Sequence, residues 1–289
     1  MRHKMFWGII GVFCIAGGLL VGFGFFSTEP LVILISIDGA RADRLRDGNF
    51  PHIHALAQEG SRTYGAKTVL PSRTLPAHAS MLSGYDVPKH GVTWDEWIGT
   101  YLAKPTIFDE LSAREKPSFA VVGKQKMRTF RNPSDRWSLE IDESGQKNVM
   151  LRAQKIIESD APVSFLFIHL AAPDKMGHAY GESSRQYADA LSQADALIGD
   201  LVETLRKEKE LKRTTLIVTS DHGMLGNHHG GTTSEETTIP WIANGPLIKS
   251  NYDIQNPVNI FDTAPTILSL FDEQVPAELD GKALAEIIR

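Results

Sequence analysis

From residue 31 onward the chain alternates between short apolar runs and longer stretches with apolar residues at helical spacing. Leu31–Ile37, LVILISI, is the first run and has neither charge nor polar alternation. A strand covered on both faces reads this way, as in a parallel sheet clothed by helices. The pattern returns at 118–122, 163–170, 214–219 and 238–243, and 68–70 is strand-like. Helices are predicted between these runs. The stretch 50–59 places Ile53, Leu56 and Ala57 on one side and stops at Gly60. The periodicity also predicts helices over 106–113, 148–159 and 259–270, and a short one at the C-terminus. The longest, 183–208, carries a core stripe from Tyr187 through Leu191, Ile198 and Leu205. Another starts at Pro76, with Thr74 just ahead of it. The stretch 127–146 is polar and without period, and 274–280 reads as extended. Strands alternating with helices predict an α/β fold with a mostly parallel central sheet and helices on both faces.

Residues 1–30 depart from this pattern. Arg2, His3 and Lys4 precede an uncharged apolar run over 5–26. A run of that length can cross a bilayer as a helix, with the basic flank on the cytoplasmic side. A cleaved signal peptide is the rival reading, and Gly22-Phe23-Gly24 is a poor cleavage site for one. The expectation is an N-terminal transmembrane anchor and short linker over 1–30. Residues 31–289 would then form a catalytic domain outside the cytoplasm, periplasmic or extracellular, and secreted if the segment is cleaved.

Composition narrows the chemistry. With 42% hydrophobic and 22% charged residues the chain is ordinary for a globular protein. Its formal net charge of −5 and lack of a basic tract argue against binding nucleic acid. Cys14 is the only cysteine, so an internal disulfide and a thiolate metal site are both excluded. A metal here must be held by His, Asp and Glu.

Such residues cluster after predicted strands. Asp38 follows the first run, Asp174 and His178 the run at 163–170, and Asp221 and His222 the run at 214–219. Each taken alone is an ordinary turn or loop. In a parallel sheet, however, the carboxyl ends of the strands share one edge, where ligands bind. Asp174 and His178 are four apart, so one helical turn brings them to one face. With His229 the set comprises three carboxylates and three imidazoles, enough for two zinc ions with open positions. Thr74 supplies a hydroxyl that a metal could turn into a nucleophile, although helix capping is the commoner fate of such a threonine. His78 reads as a structural histidine.

At these residues the chain resembles the nucleotide pyrophosphatase/phosphodiesterase branch of the alkaline phosphatase superfamily. The resemblance runs from Val32 to the C-terminus. It rests on ISIDGARAD around Asp38, TLPAHASMLSGYDVPKHGVTW from Thr74, APDKMGHAYG around Asp174 and TSDHGMLGNHHG around Asp221. FDTAPTILSLF and VPAELDGKAL fit its closing pattern. It implies an alkaline-phosphatase-like fold with two zinc ions. Asp174, His178 and His229 would hold one, and Asp38, Asp221, His222 and Thr74 the other. His229 is preferred to His228 because the family pattern has His directly before Gly, here Gly230. Thr74 would be the nucleophile in hydrolysis of a small phosphate diester or nucleotide pyrophosphate, through a covalent phospho-threonine.

One position departs from the family. Where an Asn contacts a phosphoryl oxygen, this chain has Asp95. An ionised carboxylate there repels phosphate, so Asp95 is expected to be protonated, turned away or paired with another cation. A phosphomonoesterase and a membrane-associated headgroup transferase of the same superfamily are the alternatives, with a non-catalytic metal-binding homologue behind them. A sulfatase is disfavoured because no formylglycine motif is present. Trp94, Trp97 and Tyr180 are the aromatic candidates for contacting a leaving group.

Overall fold

The computed structural model describes residues 29–289. The predicted anchor or signal segment therefore lies outside the described residues. Among those described, no helix is long and apolar enough to cross a membrane.

Eight strands form one sheet: β1 (Leu31–Ile37), β2 (Ser61–Lys67), β3 (Ser118–Val122), β4 (Ser138–Ile141), β5 (Phe165–Leu170), β6 (Thr214–Thr219), β7 (Thr238–Asn244) and β8 (Tyr252–Asp253). Their order across the sheet is β4-β3-β5-β1-β6-β7-β2-β8. From β4 to β6 every neighbouring pair is parallel, and β7 is antiparallel to both β6 and β2. The fold is thus α/β with a mostly parallel sheet, as the alternation predicts.

The lack of polar alternation in β1 has a direct structural cause. Val32 and Leu34 enter one apolar layer with Leu75, Phe108 and Ile267. Leu31, Ile33, Ile35 and Ile37 enter the opposite layer with Ile53, Val149 and Leu201. Helices Thr74–Ser83, Ile107–Ser112 and Thr263–Leu270 cover the first face, and Pro51–Glu59, Gln146–Ile157 and Arg185–Lys207 the second. Both faces are buried, so every position of the strand but Ser36 is apolar.

Several predicted boundaries move. The second strand is 61–67, not 68–70, and a register shift between Thr63 and Ala66 breaks its pairing with β7. Its sequence SRTYGAK has no hydrophobic period, so backbone pairing with β7 defines it. The region read as irregular, 127–146, contains the edge strand β4, half-exposed on its own alternation, after a 3-10 turn at Gln125–Phe130. The predicted helix 259–270 is a 3-10 turn, Ile260–Asp262, followed by the helix Thr263–Leu270. The short C-terminal helix is a 3-10 turn, Ala285–Ile287.

The two edges of the sheet differ in what they carry. The chain enters at the amino edge, where the Glu29 carbonyl accepts from Arg213, just before β6, at 2.9 Å. The Glu29 carboxylate lies 3.6 Å from Lys116, just before β3. The carboxyl edge carries the candidate site.

Candidate active site

Asp38, Asp174 and the Asp221-His222 pair follow β1, β5 and β6, and these strands are neighbours. Parallel pairing therefore places all four on one edge without any long loop. The helix Ala172–Tyr180 begins two residues beyond β5 and puts Asp174 and His178 on one face. Nε2 of His178 lies 3.4 Å from Asp174 Oδ1. Nε2 of His229 lies at the same distance from that oxygen. On the other side, His222 Nε2 lies 3.3 Å from Asp221 Oδ2 and 3.6 Å from Asp38 Oδ1.

Four of these atoms are buried and have no hydrogen-bond partner. Asp38 Oδ1, Asp174 Oδ1, Asp221 Oδ2 and His222 Nε2 are all without one among the described residues. Leaving one buried polar group unpaired is costly, and four facing one another is the arrangement expected of a cation site. Two overlapping sets, Asp174-His178-His229 and Asp38-Asp174-His222, keep their donor atoms within 4.8 Å.

The imidazoles are oriented for the same task. Nδ1 of each faces a backbone carbonyl: Asn227 for His178 (2.8 Å), Gly223 for His222 (2.9 Å) and Ser72 for His229 (3.0 Å). A proton on each Nδ1 leaves Nε2 free to coordinate, the usual support for a metal-bound histidine. Gly223 is forced by packing, because a Cβ there would meet the Glu235 carbonyl oxygen at 1.9 Å. The donor set of carboxylate and neutral imidazole fits zinc or a similar divalent ion. His228, the rejected neighbour, is exposed and its backbone closes a tight turn with Leu225.

Thr74 is buried and is the first residue of its helix, not a residue ahead of it. The N-cap position belongs to Arg73, so capping does not account for Thr74. Thr74 Oγ1 accepts from Lys124 Nζ at 3.3 Å. His78, one turn on, bonds the Thr74 carbonyl through Nδ1 and Ser36 through Nε2, which makes it a structural histidine as expected.

Lys124 is absent from the sequence reading. It follows β3 by two residues and its ammonium lies 2.6 Å from both Asp38 Oδ2 and Asp174 Oδ2. Burial disfavours its charge, but Asp38, Asp174 and Asp221 outweigh that and raise its pKa. Burial likewise opposes ionisation of Asp38, yet Lys124 and a hydrogen bond from His169 hold its carboxyl well below the usual value. Asp221 differs: burial and the Asp38 charge push its carboxyl up to about 7. Burial pushes His229 down to about 4, helped by the neighbouring His222. The only sequence signal for Lys124 was a charged residue soon after a buried strand, just ahead of the stretch 127–146 read as polar.

Asp95 also has cationic company. Its Oδ1 accepts from the Leu75 N–H at 2.9 Å, and its Oδ2 lies 3.0 Å from Lys126 Nζ. Of the aromatic candidates, Trp94 packs against the core, and Trp97 carries Arg128 over its ring at 5.7 Å. Tyr180 is exposed at the end of the His178 helix.

Known proteins resemble this chain in sequence and in fold. The sequence model of the family described as type I phosphodiesterase / nucleotide pyrophosphatase matches residues 32–129 and 99–235. The human protein named bis(5'-adenosyl)-triphosphatase ENPP4 is 28% identical over 242 residues, covering 74% of this chain and 52% of its own length. The chain thus spans about half the length of the curated relatives it matches. Murine ectonucleotide pyrophosphatase / phosphodiesterase 5, solved as an inactive form in complex with AMP, superimposes with a TM-score of 0.79 at 16% identity. The match covers 90% of this chain and 100% of that one. A 2-O GAG sulfatase superimposes with a TM-score of 0.68 at 16% identity, over 89% of this chain and 73% of that one. At these identities the superpositions speak for the fold alone.

Proposed function

Because the chain belongs to the type I phosphodiesterase / nucleotide pyrophosphatase family, we propose that it is a zinc-dependent hydrolase of phosphate diesters or nucleotide pyrophosphates, acting through a covalent phospho-threonine on Thr74. The observation that carries this reading is the group of four unpartnered buried atoms on Asp38, Asp174, Asp221 and His222, beside a buried threonine with no capping role. Asp174, His178 and His229 would hold one ion, and Asp38, Asp221, His222 and Thr74 the other. Bound ions would supply charge neutralisation at the phosphoryl oxygens and a lowered pKa for the Thr74 hydroxyl.

The residues of the chain do the rest. Thr74 Oγ1 forms the bond to phosphorus as the leaving group departs with the electrons of its own bond. Water then breaks the threonine–phosphorus bond and returns the hydroxyl. Lys124 is a hydrogen-bond donor to Thr74 Oγ1, so it stabilises a developing negative charge there and does not act as a base. The relative named as a bis(5'-adenosyl)-triphosphatase and the neighbour solved with AMP make a nucleotide the first substrate to try.

A second reading has its own support. Lys124 beside Thr74, and Lys126 cancelling Asp95, would favour a phosphoryl group carrying two charges, as in a phosphomonoester. The deciding experiment uses the zinc-loaded protein with a p-nitrophenyl phosphate diester and the corresponding monoester. Diester turnover that vanishes in Thr74→Ala supports the first reading, and faster monoester turnover supports the second. No turnover of either by a protein holding two zinc ions removes both.

A further inference from the structure

We propose that His169, a residue outside both candidate ligand sets, is a positioning residue that makes Asp38 meet a metal ion through Oδ1 alone. This rests on the two-metal reading above. His169 sits inside β5, in the run FLFIHL, at the register position opposite Ser36 of β1, and is fully buried. A buried imidazole in an otherwise apolar central strand needs hydrogen-bond partners.

His169 has two. Nε2 lies 2.8 Å from Asp38 Oδ2, and Nδ1 faces the Gly123 N–H at 3.3 Å. The amide can only donate, so Nδ1 is the acceptor and Nε2 carries the proton to the carboxylate. The tautomer is therefore fixed by the backbone. Lys124 reaches the same Asp38 oxygen at 2.6 Å. Oδ2 is thus held by two donors, while Oδ1 has none and faces His222 Nε2. A carboxylate tied in this way presents one oxygen in one direction.

Gly123 immediately precedes Lys124, so the same imidazole also fixes the turn that delivers the ammonium. No side chain fits at Gly123, where a Cβ would lie 2.9 Å from that of Ala171. The His169 ring also meets His78 edge-on at 5.0 Å, and His78 bonds the Thr74 carbonyl. One imidazole therefore supports Asp38, the Lys124 turn and, through His78, the helix that carries Thr74.

The test reads metal directly. The full chain and its H169F and H169Q variants are loaded with zinc, dialysed and assayed for zinc per chain, for zinc affinity against a chromophoric chelator, and for melting temperature. Phe fills the space without a donor, and Gln keeps an amide N–H. The expected result is two zinc ions in the wild type and a 10- to 100-fold loss of affinity at one site in H169F. H169Q should recover most of that loss. Wild-type affinity at both sites in H169F overturns the proposal. So does an H169Q variant that folds yet has lost 10-fold or more of the wild-type zinc affinity at that site, an outcome that can be read even where H169F does not fold. A wild-type chain that binds fewer than two zinc ions overturns the two-metal reading and this proposal with it. A chain that binds two but hydrolyses nothing overturns only the proposed activity, because the affinities are read without turnover.

Discussion

Asp95 and Lys126 form a neutral pair at the first turn of the Thr74 helix, with 3.0 Å between carboxylate and ammonium. The other carboxylate oxygen takes the Leu75 N–H. The repulsion that an Asp at this position would impose on phosphate is offset locally. Asp95→Asn should keep the Leu75 bond and the Lys126 bond to the residue 95 carbonyl but remove the ionic partner of Lys126, adding one positive charge near the site. Monoester kcat/KM is expected to rise roughly threefold to tenfold, and diester kcat/KM by less, at low ionic strength. Lys126→Met should shift both in the opposite direction. Steady-state kinetics on the two esters check this, and equal effects on both would sink it.

Thr74→Ala should lower turnover by about a thousandfold or more while zinc per chain stays within one ion of wild type. Thr74→Ser should keep a measurable fraction. Acid-quenched reactions should show a phosphorylated Thr74 peptide by mass spectrometry in the wild type and none in Thr74→Ala.

Removal of metal should abolish activity and also lower the melting temperature, because ions that bind only the folded state stabilise it. Adding zinc back should restore both. His229→Ala should cost one ion and leave the other, since His229 approaches Asp174 and not Asp221. Atomic absorption on the purified variants distinguishes one ion from none.

Gly223→Ala tests how packing sets a ligand. The added methyl would meet the Glu235 carbonyl oxygen, a backbone atom that cannot move aside without shifting its strand connection. The expected outcome is a displaced His222, weaker zinc binding and a lower melting temperature. An unchanged zinc affinity would show that the loop yields.

A pH effect on stability should come from His90, away from the metal ligands. Its Nε2 bonds the Ser80 hydroxyl and its Nδ1 accepts from the Val92 N–H, so it is buried in a neutral form. Burial pushes its pKa down to about 4, against an attraction from Asp86 and Asp280. Between about 6.5 and 4 the unfolded chain binds the extra proton, so the stabilisation present at neutral pH is lost as pH falls through that window. Melting temperature measured from pH 7 to 4.5 should fall less steeply in His90→Gln than in the wild type.

The strands that carry the site were legible because each is buried on both faces and so reads as an unbroken apolar run. Asp38, Asp174 and Asp221 stand just beyond those runs, and the parallel order β5-β1-β6 turns positions far apart in sequence into neighbours. β2 and β4 were not legible. The first has no apolar period and the second is a half-exposed edge strand, so backbone pairing defines both. Lys124, Lys126 and His169 escaped for a related reason. A buried lysine and a buried histidine look, in sequence, like any surface lysine or core-strand residue. Their meaning comes only from the carboxylates that other strands bring to them.

The entry of the chain beside Lys116 and Arg213 gives the molecule a definite polarity. Glu29 marks the amino edge of the sheet, and the seven residues of β1 run from there to Asp38. An extended strand of that length rises about 23 Å. The candidate site at the carboxyl edge therefore lies about that distance from the point where Glu29 and Pro30 lead into the sheet.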